Sequence, residues 1–393
     1  MSPAPPSRSP DLQQLRNEGY EISATDRGHL VLRHVPYVNS QRQVGHAEII
    51  SKLTMAGEVT ATPVTDHVAF WTGETPCNQH GVPLPNMVNP GQHQLEPGLT
   101  ASCSFSCKPE TPYADYYVKM TTYVAMLEGP AQVIDPTATA RTYRVVEDED
   151  VDSPFVYPDT ASSRAGIAAL TDRLRGQRLA IVGLGGTGSY ILDLVAKTPV
   201  KEIHLFDADD FLSHNAFRAP GAAPMAVLNT RPKKVTRLAE IYSVQKRGIE
   251  PHRYAITADN VEELRGFDFV FLSMEGGTVK RCIVERLTEW EMAFIDVGLG
   301  LKQNNDLLTG VLRITTSTPT KRDHVASRLD FSDPGPDDIY DANIQIADLN
   351  ALNAALAVVK WKKLNGVYAD LERECFTAYT LDGNHIVNED LAR

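Results

Sequence analysis

Cysteine is scarce in this chain, with five among 393 residues, and none of them forms a Cys-x-x-Cys pair. No secretory signal opens the sequence, so a reducing, cytoplasmic setting is expected rather than a disulfide framework. No uninterrupted apolar run approaches the ~20 residues that a bilayer-spanning helix needs, and no membrane association is expected. Positive charge is in deficit: 38 Lys and Arg stand against 50 Asp and Glu, a formal net charge of −12. That argues against a general nucleic-acid binder and leaves a small basic protein partner open. No internal repeat is found. What is present is ordinary for a globular chain, 42% hydrophobic and 22% charged residues. The length suits two domains, each with its own core.

Residues 1–10 are rich in Pro and Ser and read as a disordered tail. From 11 to about 150 the pattern is short and β-like after one opening helix. Strands are expected at Leu30–Leu32, Val68–Trp71, Tyr117–Met120 and Ala140–Val146, separated by Gly- and Pro-rich turns. This is a separate α+β or mostly β N-terminal domain whose role the sequence does not give. Glu147-Asp148-Glu149-Asp150 reads as a linker. A helix is expected from Ala165 to Leu174, capped by Ser162 or Ser163.

Residues 160–393 form the second domain. Strands are expected at 179–182, 203–206, 254–256, 268–274, 293–297, 310–315 and 375–381. Helices are expected up to Lys197, over 232–242 and 279–290, and over 344–364. In the last of these, Ile346, Leu349, Leu352, Leu356 and Val359 recur at spacings of three and four. Residues 317–340 read as a long irregular loop, and the tail from Asp382 as polar coil.

The chemistry concentrates in residues 179–218. An apolar run is followed by Gly183-Leu184-Gly185-Gly186-Thr187-Gly188-Ser189, then a helix, then a second apolar run ending in Asp207-Ala208-Asp209. A strand, a glycine turn, a helix and a strand closing on an acid make the nucleotide-binding half of a doubly wound α/β fold. The glycines let backbone amides approach a phosphate, and Asp207 falls where an acid accepts bonds from ribose hydroxyls. On the glycines alone, an NAD(P)-dependent oxidoreductase is the favoured reading.

The doubled Gly185-Gly186 with Gly188-Ser189, Asp207-x-Asp209 and Asn215-x-x-Arg218 together resemble the ThiF/MoeB and ubiquitin-activating-enzyme family. The resemblance covers roughly 160–315 and the helix after the long loop. It implies a Rossmann-like ThiF-type sheet that binds ATP and Mg²⁺ and adenylates the C-terminal carboxylate of a ubiquitin-like protein, most often as a homodimer. Gly183, Gly185, Gly186 and Gly188 would then bracket the nucleotide and Asp207 would hold the ribose. Asp209, Asn215 and Arg218 would lie along the phosphates. Lys234, or Lys233 one place away, would match the family's phosphate-contacting lysine. Arg164 would match an arginine that reaches the partner subunit's ATP. Where the family usually places an aspartate for Mg²⁺, this chain has Glu275. The pairing with an unread N-terminal domain also resembles proteins of bacterial ubiquitin-like modification clusters, through Ser163-Arg164-Ala165-Gly166-Ile167 and Gly185–Tyr190.

Full activating enzymes pass the acyl group to a cysteine, yet residues 317–340 hold none, and Cys282 and Cys375 fall in an expected helix and strand. Adenylation is therefore better supported than a thioester step. Cys77-x-x-His80 with Cys103-x-x-x-Cys107 offers four candidate zinc ligands, but buried structural cysteines fit the loose spacing better. A degenerate nucleotide-binding scaffold is the non-enzymatic alternative, kept open by Glu275.

Overall fold

The computed structural model describes residues 8–57, 59–64, 66–84, 88–146, 152–332 and 344–392. The chain divides into two compact units, Met1–Val151 with Tyr157–Ile167, and Asp152–Val156 with Ala168–Arg393.

The first unit begins with α1 (Pro10–Asn17), β1 (Ile22–Ala24), β2 (His29–Val38), β3 (Val44–Lys52) and the small hairpin β4 (Met55–Ala56) and β5 (Val59–Thr60). Then come β6 (Val68–Trp71), β7 (Val88–Glu96), β8 (Leu99–Ser106), α2 (Tyr116–Ile134) and α3 (Thr160–Arg164). Six strands form one antiparallel sheet in the order β1-β2-β3-β6-β8-β7. Its core sets Leu30, Leu32, Ile49, Trp71 and Phe105 against Tyr116, Met120, Tyr123 and Leu127 of α2.

Tyr117–Met120 is therefore helical, not a strand. Buried positions 116, 119, 120, 123, 124, 127 and 131 recur at helical spacing, and Asp115 accepts the Val118 N–H at 2.8 Å to start the helix. The Ala140–Val146 strand is absent too: Arg141 makes a single bridge to Tyr20, and Tyr143 takes φ 52°. Ser9, in the stretch read as a tail, is buried and its hydroxyl accepts from Thr60 N–H, while Pro10 opens α1. Residues 1–7 and the acidic stretch 147–150 lie outside the described residues. The helix read at 165–174 is broken. Asp159, not Ser162 or Ser163, caps α3, and Gly166 at φ +68° ends it.

The second unit contains α4 (Ala168–Thr171), β9 (Arg178–Val182), α5 (Gly186–Val195), β10 (Glu202–Phe206), α6 (Ser213–Ala216), α7 (Met225–Asn229) and α8 (Lys234–Ser243). It continues through β11 (Ile249–His252), β12 (Phe269–Leu272), α9 (Thr278–Glu289), β13 (Phe294–Asn304), β14 (Leu307–Ser317) and α10 (Val325–Arg328), and ends with α11 (Ala347–Leu364), β15 (Phe376–Thr380) and β16 (His385–Glu389). The eight strands run in the order β11-β10-β9-β12-β13-β14-β15-β16. The first five are parallel and the rest antiparallel.

The doubly wound α/β sheet expected from the sequence is thus present. Alternation along β9 sends Leu179 and Ile181 into one core with α5, α8 and α11, and Ala180 and Val182 into another with α9. The strand expected at 254–256 lies earlier, at β11, and the polar tail contains β16. Within 317–340, residues 325–328 form α10, and 333–340 lie outside the described residues. Among the described residues no helix is long and apolar enough to cross a membrane.

Candidate functional site

Strand order reverses between β9 and β12, and in open α/β sheets ligands bind at that point, beyond the carboxyl ends of the strands. The glycine turn is there. Gly183 takes φ +92° and donates its N–H to Phe206 O at 2.9 Å; a Cβ on it would stand 2.5 Å from Ser273 O. A Cβ on Gly188 would stand 2.0 Å from Gly183 O, and one on Gly186 would stand 2.0 Å from Asn350 Nδ2. These three glycines are demanded by packing. Gly185 differs: the nearest atom to a Cβ there is Gln345 Oε1 at 3.8 Å. Its open face, just ahead of the α5 N-terminus, is where a phosphate has room to approach backbone amides.

Asp207 closes β10 and braces the turn. Its carboxylate accepts Leu184 N–H at 2.7 Å and Asp209 N–H at 2.8 Å. Lys234 Nζ is buried 2.7 Å from Asp209 Oδ2 and 3.5 Å from Asp207 Oδ2. Lys233 instead donates to Ala208 O and pairs with Asp210, each at 2.8 Å. Asn215 is buried; its Oδ1 accepts Leu212 N–H at 2.8 Å, while its Nδ2 has no partner among the described residues. Arg218 Nε is likewise buried without a hydrogen bond among the described residues. Burial lowers the Arg218 pKa, and the nearby Glu275 carboxylate opposes that shift.

A cavity of about 420 Å³ opens beside the turn. It runs from Gly185, Gly186 and Thr187 past Ser273–Gly276 and Asp296–Leu299 to Arg313 and Thr315. Within it Lys280 Nζ lies 2.6 Å from Asp296 Oδ1, both side chains buried. Burial pushes the Asp296 carboxyl pKa up, while Lys280 and Arg313 pull it down. Thr187 donates to Asn350 Oδ1 at 3.0 Å, and Gly186 N–H donates to Gln345 Oε1 at 3.3 Å.

The structure therefore gathers the four glycines, Asp207, Asp209 and Lys234 at the ends of β9 and β10, and sets Arg218 within electrostatic reach of Glu275, which lines the cavity. Arg164 belongs to the first unit, at the end of α3, on a surface cavity with Gln13, Gln14 and Asn17 of α1. Sequence reasoning did not single out Ser273, Lys280, Asp296, Arg313, Gln345 or Asn350. Two carried a signal: an acid inside Phe294-Ile295-Asp296-Val297, and an asparagine inside the apolar helix α11.

Residues 160–302 match the model of the ThiF family, and residues 10–160 match that of a domain of unknown function, DUF6791. Over residues 160–302 the chain is thus similar to the ThiF family. The ThiF match supports adenylation-type chemistry on a carboxylate and leaves the acceptor open. No curated protein matches the chain. Among solved structures it is similar to E. coli MccB with succinimide (13% identity, 60% of this chain and 73% of that chain, TM-score 0.46). It is similar also to E. coli MccB with ATP (14%, 60% and 70%, 0.44) and to PaaA (15%, 87% and 99%, 0.46).

In the second unit three acids line the cavity, Glu275, Asp296 and Asp330. Among the described residues no group of three His, Cys, Asp or Glu is placed to hold a metal alone. Cys77 and Cys103 are buried, and burial pushes both thiols up. The exposed Glu275 carboxylate suits Mg²⁺, which usually takes one or two protein carboxylates and completes its shell with waters and substrate phosphates. Burial also raises the Cys375 thiol, which keeps it in the un-nucleophilic form.

Proposed function

We propose that the ThiF unit binds ATP and adenylates the C-terminal carboxylate of a ubiquitin-like protein. The observation that carries this reading is the continuity of the glycine turn, open at Gly185, with a polar cavity running away from it to β14. A hydride-transfer site needs an apolar slot for a nicotinamide ring; here the adjoining space is lined by Lys280, Asp296, Arg313 and Glu275. In the proposed reaction an acceptor carboxylate oxygen bonds to the α-phosphorus, the bond to the bridging oxygen breaks, and pyrophosphate leaves with the electron pair. No general base is required, because a carboxylate is already ionised at pH 7.

The chain's work is to position groups and offset charge. Gly185 admits the phosphates, Asp207 takes the ribose, and Asp209 and Asn215 line the path of the phosphates. Arg218 and Lys234 supply positive charge. Glu275 would hold Mg²⁺, which when bound supplies further charge neutralisation at the phosphates. The family resemblance supports a homodimer in which Arg164 serves the partner subunit's site.

Calorimetric titration of the wild type with ATP and, separately, with NAD tests the reading. ATP should bind and NAD should not. Asp207→Ala, shown folded by circular dichroism, should bind ATP about tenfold or more weakly, the loss expected of charge-assisted hydrogen bonds. Full ATP affinity in that variant would remove the ribose assignment, and NAD binding without ATP binding would favour the oxidoreductase.

A further inference from the structure

Three cations line the cavity: Lys280, Arg313 and Arg328. Two are committed. Lys280 pairs with buried Asp296, and Arg328 pairs with Glu389 and, at 2.8 Å, with Asp390. Arg313 acts on Asp296 and Asp330 through space but makes no ion pair or hydrogen bond among the described residues.

Its placement follows from the strand register. Arg313 on β14 faces Gly298 on β13, and the missing side chain there lets the guanidinium reach back across β13. A Cβ at 298 would meet Arg313 Nε and one of its terminal nitrogens, each at 3.3 Å. Phosphates at the start of α5 follow directly from β9. From β9 to β13 is two strand spacings and to β14 three, so the guanidinium lies about 10–14 Å to the side at ~4.8 Å per strand. An extended peptide covers that distance in about three or four residues at ~3.4 Å each. By that estimate Arg313 stands to the side of the α5 N-terminus, along the path of a chain leading toward it.

We propose that Arg313 is a specificity-determining residue that pairs with an acidic side chain at the third or fourth position before the acceptor's C-terminus. The inference rests on the adenylation reading and names the acceptor class for the same site: a protein or peptide with an acidic C-terminal segment. A planar guanidinium held against a glycine suits bidentate carboxylate recognition.

The test uses the intact protein and two fluorescent hexapeptides, one ending Glu-Glu-Gly-Gly-Gly and the other Lys-Lys-Gly-Gly-Gly, with binding read by anisotropy both with and without ATP. The wild type should bind the acidic peptide about tenfold or more tightly than the basic one, the scale of one charge-assisted pair. Arg313→Glu should reverse that order while its ATP affinity stays unchanged. Loss of ATP binding by the wild type would count against the adenylation reading alone, since the charge preference is read without ATP too. Equal binding of both peptides, binding of neither, or an unchanged preference in Arg313→Glu overturns the inference.

Discussion

At the scale of single residues, the four glycines of the turn do different jobs, and two substitutions separate them. Gly188→Ala would drive a Cβ to 2.0 Å from the Gly183 carbonyl, a backbone atom that cannot swing away. The expected cost is about 1–3 kcal/mol, the range for overpacking, read as a lower midpoint in urea unfolding. Gly185 has φ −72°, which alanine adopts, and open space at its Cα. Gly185→Ala should therefore unfold like the wild type yet lose ATP affinity, because the added methyl occupies the phosphate approach. Equal ATP affinity in Gly185→Ala would move the phosphates elsewhere. The motif was legible in the sequence as a spacing; which glycine serves the ligand was not. That depends on Ser273 and Asn350, about 90 and 160 residues further along the chain.

At the scale of elements, the alternation of strands and helices in the second unit could be read because buried parallel strands are short apolar runs. The face of α11 could not. Spacing singled out Leu352 and Val359, yet both lie exposed, while Asn350, Asn353, Ala354, Ala357 and Trp361 are buried. Small and amide side chains let α11 come close to the start of α5, so packing selected the less hydrophobic stripe. In the first unit, the run Tyr116–Val124 is rich in residues with high strand propensity, and its helical burial against the sheet overrode that preference.

The segment Asp152–Val156 shows another contact that propensity does not reveal. Lys246 is fully buried and donates to Pro154 O at 3.2 Å and to Val200 O, with Phe155 beneath it. Burial lowers its pKa to about 7. The unfolded chain keeps that proton up to about pH 10.5, so between about 7 and 10.5 the unfolded state binds more protons and stability rises with pH. Lys246→Met cannot titrate. Its stability should rise less steeply over that window, by roughly 1 kcal/mol per pH unit, in urea unfolding at pH 7, 8 and 9. Parallel profiles for the two proteins would show that Lys246 keeps its proton in the fold.

At the scale of the whole molecule, the chain leaves the first unit at 152–156, returns for Tyr157–Ile167, and crosses again at Ala168. Arg164 therefore belongs to the same unit as the DUF6791 match, while the residues proposed to hold the nucleotide belong to the other. Fold and glycine site could be read because each is encoded locally. The task of Arg164 could not, because it depends on which copy of the chain it serves. Complementation decides this. Arg164→Ala and Asp207→Ala should each lose most ATP–pyrophosphate exchange. In a mixed dimer, one of the two sites combines an intact Asp207 from one copy with an intact Arg164 from the other. If the arginine acts across the dimer, that site works, and co-expressed, differently tagged variants purified through both tags should recover up to about half of the wild-type rate. If Arg164 acts within its own chain, each site of the mixed dimer keeps one defect and no recovery is expected. A purified mixed dimer as inactive as its parents would thus assign Arg164 to its own subunit.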